Sequence, residues 1–207
     1  MKLPLLLSAI ITSIILFSCI KHEVIPAPEH KATLKAYFSG NINNSTTEFT
    51  ENVNGYAGAA TQSKIVLPSG QTSSVIYLFE MKSTTPGQNA KIQVGLGSLT
   101  WDQANSTGPD LTTFNNFFNS HSSPNYSNNG TSGFYVSYTD NAGVIWSSRD
   151  NSIHPKSVNF SSISQESDPN GDYSKFTCTF SCYVYSNAAI PDSMSISNGQ
   201  VKGWFQR

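Results

Sequence analysis

Cys19 is the residue whose surroundings specify a reaction most directly. Met1-Lys2 gives a short positive start, Leu3 to Phe17 is a largely apolar run, and Leu16-Phe17-Ser18 leads into the cysteine. A small residue before a cysteine, behind such a run, is the pattern in which the thiol takes a lipid and the chain is then cut ahead of it. The run is too short and wrongly flanked for a comfortable transmembrane helix. Residues 1–18 are therefore expected to be a lipoprotein signal peptide, and residues 19–32 a lipidated Cys19 and flexible tether. A diacylglyceryl group plus an N-acyl (palmitate) chain would suffice for stable membrane anchoring, which needs two lipid signals.

The other chemically capable residues specify less. Cys178 and Cys182 alternate with Phe176, Phe180 and Val184 at a strict period of two. On a strand both thiols face the core about 13 Å apart, beyond the roughly 7 Å that a disulfide allows between Cα atoms. They read as small buried hydrophobes. No Gly-x-Ser-x-Gly, Ser-x-x-Lys, His-Glu-x-x-His or zinc-spaced cysteine pair occurs, so no catalytic residue, metal or cofactor is expected. His22 and His30 lie in the tether, His121 at a helix end and His154 in a loop. Most acids sit in turns. Glu80, between Phe79 and Met81, reads as a strand-end acid facing water beside Lys82, against the alternative of a binding acid. Asp168-Pro169-Asn170-Gly171-Asp172 reads as a turn rather than a calcium loop, since it lacks the full ligand series.

Aromatic residues offer a stacking surface for sugars. Trp101, in a polar stretch before the helix, is the tryptophan expected to be exposed. Trp146 reads as core, and one of Trp204 and Phe205 should point outward. Tyr183 and Tyr185 lie on the outward face of the strand that buries the two cysteines. Trp101, Tyr183 and Tyr185 are thus the candidate ligand-binding residues; ordinary sheet-surface tyrosines would look the same.

The elements that must position these residues are mostly strands. Alternation predicts strands over 73–82, 90–99, 156–163 and 173–186, a weaker one over 55–63, and a first one near Leu34, Ala36 and Phe38. The 73–82 strand is apolar on both faces and should be covered on each side. Residues 133–139 and 143–148 read as a hairpin around Asp140-Asn141-Ala142. Residues 193–197 and 201–206 read as another, around Asn198-Gly199. Leu111, Phe114, Phe117 and Phe118 follow helical spacing behind Asp110, a good N-cap. The predicted fold is all-β: a two-sheet antiparallel β-sandwich over residues 33–207, jelly-roll or immunoglobulin-like, with one short helix plugging an open end.

Charged residues make up 12% of the 207-residue chain, about half the usual share. Without Lys2 and the rest of the signal, 11 basic face 13 acidic side chains, a formal charge of −2. Such a surface has no electrostatic footprint for nucleic acid.

Leu16-Phe17-Ser18-Cys19, the short tether, the stretch Phe134–Tyr138 with Val144-Ile145-Trp146, and the closing Ile196-Ser197-Asn198-Gly199…Gly203-Trp204-Phe205 together resemble small Bacteroidota-type lipoproteins of unknown function. The likeness covers the signal and the C-terminal third, hardly the middle, and its motifs are structural. Asp192-Ser193-Met194 resembles the O-glycosylation acceptor of proteins exported by such bacteria, making Ser193 a candidate modification site. The resemblance implies a bacterial envelope protein, lipid-anchored through Cys19, in the outer membrane, with the leaflet it faces left open. The expectation is a non-enzymatic binding or accessory module whose partner is a glycan or an envelope protein. The alternative is a carbohydrate-binding or carbohydrate-active protein on a jelly-roll scaffold.

Overall fold

The structure is a computed structural model that describes residues 29–102, 107–187 and 192–207. The signal-peptide and Cys19 expectations lie outside these residues. Ten strands form one antiparallel sheet: β1 (Tyr37–Ile42), β2 (Ser45–Thr50), β3 (Tyr56–Ile65), β4 (Thr72–Ser83), β5 (Lys91–Asp102), β6 (Phe134–Thr139), β7 (Ile145–Ser148), β8 (Ser157–Asp168), β9 (Gly171–Ser186) and β10 (Ser193–Gln206). Among the described residues one α-helix, α1 (Leu111–Ser120), lies between β5 and β6.

The hydrogen-bonded order is β2-β1-β10-β9-β7-β6-β5-β4-β3, with β8 also on β9. This differs from the expected pair of separate sheets. The cause is the length of β9, which pairs β8 from Gly171 to Ser181 and then β7 from Val184 to Ser186 along the same edge. The sheet therefore forks at β9 instead of splitting in two. Most strands neighbour the strand next to them in sequence, which is the order of a meander rather than a Greek key.

The sheet curls so that β10 lies across from β4. Phe79 meets Trp204 edge-on at 5.3 Å between ring centroids, and Phe176 at 5.9 Å. Strict alternation supplies the interior: Val75, Tyr77, Phe79 and Met81 from β4; Ile92, Val94 and Leu96 from β5; Phe176, Cys178, Phe180, Cys182 and Val184 from β9. Strand β4 lies between β3 and β5, with Ile76 and Leu78 half-buried on its second face.

Helix α1 occupies the predicted place. Asp110 accepts a hydrogen bond from the Thr113 amide at 2.7 Å, and Phe114, Phe117 and Phe118 are buried. Phe118 stacks on Phe205 at 4.9 Å and meets Tyr77 edge-on at 5.2 Å, so the helix closes the core over β4 and β10.

The 133–148 hairpin forms as expected, with Ser137 to Thr139 opposite Ser147 to Ile145. The predicted hairpin at Asn198-Gly199 does not. β10 runs straight through it, and one extra residue shifts its register against both β9 and β1. Asn198 takes a φ of 52°, the left-handed conformation that Asn tolerates in turns and bulges alike.

Candidate functional site

Trp101 and the Trp204–Phe205 pair depart from expectation, while Trp146 packs against the core as expected. Trp101 sits on β5 rather than in a loop and is only 8% exposed. A register shift in β5, between the residues facing Val75 and Tyr77, moves Leu99 and Trp101 inward where plain alternation places Ser98. Trp204 and Phe205 are both buried, because Trp204 closes against Phe79 while Phe205 stacks under α1. Trp146 is half-buried, and its indole N–H donates to Asp140 at 3.1 Å.

Tyr183 and Tyr185 are half-buried on the outer face of β9, and the segment 149–156 folds over them. The His154 ring stacks on Tyr183 at 3.9 Å and 20°. The Arg149 guanidinium lies 4.7 Å from the centre of the Tyr185 ring, whose hydroxyl is 2.9 Å from Ser152 Oγ. Lys156 pins the segment by donating to the Arg149 and Asp150 carbonyls. The chain's own cation and imidazole thus occupy the two tyrosine faces. Ile153, between them, is 94% exposed. Ser193 is exposed at the start of β10, opposite Tyr185.

Next to this patch on β9, the bulge in β10 opens a groove of about 500 Å³. Ladder register places Ser39, Gln200, Thr179 and Asn159 side by side on β1, β10, β9 and β8. Three inter-strand steps of about 4.8 Å set the length of that row. Ser157 and Ser181 form a second, parallel pair, and Asn198 donates its amide to Ser181 Oγ at 3.3 Å. Val158, Phe180 and Gly199 complete the lining, which contains no ionisable side chain. These residues were missed in the sequence, although Thr177, Thr179 and Ser181 alternate with the core residues that define β9. That outward period was itself the available signal.

The acids are committed elsewhere. Glu80 is buried rather than water-facing; Lys82 approaches at 2.6 Å and Lys91 at 3.7 Å. Burial, with the Glu80 charge nearby, pushes the Tyr135 hydroxyl up to about 12. Asp168 accepts from the amides of Ala32, Asn170 and Gly171 and from the Tyr173 hydroxyl, which holds its carboxyl below the usual range. Those contacts are turn chemistry. Among the described residues no group of three His, Cys, Asp or Glu is placed to hold a metal ion. Cys178 and Cys182 are free and buried.

No family model, no curated protein and no solved structure matches this chain. Among the described residues, no helix is long and apolar enough to cross a membrane.

Proposed function

We propose that this chain is a lipoprotein of a bacterial envelope, anchored through Cys19, that binds a neutral glycan without chemically altering it. The sheet that carries the site has two facing arms, in the manner of a sandwich, joined through β9. The observation that carries the reading is the uncharged groove: hydroxyl and amide side chains in register across four strands suit a hydroxyl-rich neutral ligand. Tyr183 and Tyr185 lie farther along β9, where displacement of His154 or Arg149 would free a ring for stacking.

The test is a glycan array probed with the purified full chain and with the Asn159→Ala/Gln200→Ala variant. Binding of neutral glycans that the variant loses supports the reading. Absence of binding, or equal binding by both chains, overturns it. Anchoring is tested separately, by mass spectrometry of Cys19 and by protease digestion of intact and lysed cells; the digestion also decides which leaflet the domain faces.

A second reading, docking to an envelope protein, is favoured by one observation: Ile153 stands fully exposed beside Arg149 and Tyr185. Arginine and tyrosine are enriched in interface hot spots, and the exposed aliphatic side chain beside them adds apolar area for a partner to cover. Crosslinking from a probe at position 151 to an envelope protein, lost when Ile153→Asp is added, would support that reading over the glycan.

A further inference from the structure

Lys35, Lys175 and Lys202 line another groove on the sheet, of about 280 Å³, together with the hydroxyls of Thr33, Ser162 and Thr177. Register brings them together: Lys202 opposes Thr177 on β9 and Tyr37 on β1, and Lys175 lies two residues before Thr177. The register shift in β8 between Ser161 and Ser164 brings Ser162 to the rim.

The charges are unevenly matched. Glu166 takes Lys175, His30 at 2.9 Å and the Thr33 amide at 3.4 Å. Those bonds hold its carboxyl below the usual range, so Lys175 keeps an ionised partner. Lys35 and Lys202 are exposed and form no ion pair among the described residues. A chain with only 12% charged residues therefore gathers two unmatched cations, one matched cation and three hydroxyls around one concavity.

We propose that this groove binds a phosphate-type oxyanion, held by charge-assisted bonds from Lys35 and Lys202 and by the Thr33, Ser162 and Thr177 hydroxyls. Charge-assisted bonds of this kind are the stronger ones, and salt screens them when they are exposed. Two sources offer the same chemistry: a soluble phosphate and the phosphodiester of a lipid headgroup. The second rests on the anchoring reading. Residues 20–32 separate Cys19 from Thr33, which allows at most about 45–50 Å at 3.3–3.6 Å per residue and keeps the groove within reach of headgroups.

The experiment is a ¹⁵N NMR titration of the purified full chain, in a phosphate-free buffer, first with inorganic phosphate and then with glycerophosphoglycerol. Saturable shifts are expected at the amides of Lys35, Thr177, Lys202 and Gly203, weakening as salt is added. Lys35→Gln/Lys202→Gln should weaken binding by about ten-fold or more while leaving the thermal midpoint unchanged. Binding of both compounds shows that the groove accepts the phosphodiester of a headgroup, and binding of phosphate alone assigns it to a soluble ligand. No shifts, or shifts that persist in the double variant, overturn the site. Because neither compound is a membrane, an unmodified Cys19 would remove the headgroup source without touching this result.

Discussion

At the scale of single residues, the two cysteines among the described residues are kept out of reach. Cys178 and Cys182 face the interior of β9, where burial pushes the Cys182 thiol up to about 12 and the Cys178 thiol higher still. A thiol so protonated and covered neither attacks nor coordinates. Native protein at pH 8 should therefore leave both thiols unlabelled by a disulfide reagent, and both should react after denaturation; rapid labelling of either in the native state would contradict the burial. Asn198 makes a different point. Its left-handed backbone sits in the bulge beside the neutral groove. Asn198→Val should cost about 1–2 kcal/mol, the penalty for placing a β-branched residue in that region. Asn198→Gly should cost nothing measurable. Chemical denaturation of the two variants checks both, and equal losses would show that the Asn side chain rather than the backbone matters.

At the scale of elements, α1 and the β8–β9 hairpin carry the sharpest expectations. Phe118→Ala removes a fully packed ring between Tyr77 and Phe205 and should cost about 3–5 kcal/mol, read from the denaturant midpoint. The hairpin is tied by Glu166, Asp168 and Asp172, all with carboxyls held below the usual range by hydrogen bonds, and in Glu166 and Asp172 also by Lys175 and Arg207. Depressed folded-state values mean that the stabilisation is present above the unfolded values near pH 4 and is lost as pH falls through the folded ones. The thermal midpoint should fall below about pH 4, and Asp168→Asn should make that fall shallower. An unchanged acid limb would show that Asp168 contributes no linkage.

These elements also show what the sequence made legible. Helix α1 could be read because its cap and its phenylalanine spacing are local. Strands β4 and β9 could be read because alternation is local too. Asn198-Gly199 misled because a two-residue turn and a bulge use the same left-handed backbone, and only the neighbouring strands decide between them. Trp101 misled because a register shift in β5 reverses which residues face inward. The neutral groove was half visible, as outward Ser and Thr along β9, but its convergence with Ser39 and Gln200 depends on pairing between distant parts of the chain.

At the scale of the whole molecule, the sheet is completed by its last strand. β1 and β2 are hydrogen-bonded to the other strands through β10, which pairs β1 on one side and β9 on the other, while Phe49 of β2 also stacks on Tyr56 of β3 at 4.4 Å. β10 also supplies Val201, Trp204 and Phe205 to the core and Phe205 as the seat of α1. Without the C-terminal segment the first two strands therefore lack their ladder partner and the helix lacks its Phe205 seat. A chain ending at Asp192 exposes the β9 edge, unseats Phe118 and leaves Phe79 without Trp204. Local pairing of β3 to β7 survives such a truncation as hydrogen bonds but loses the facing layer that buries its apolar side. The truncated chain should show no cooperative thermal transition by circular dichroism, and the full chain should show one. A sharp transition in the truncated chain would mean that the β3–β7 arm is stable alone, and that the fork at β9 joins two folding units rather than one.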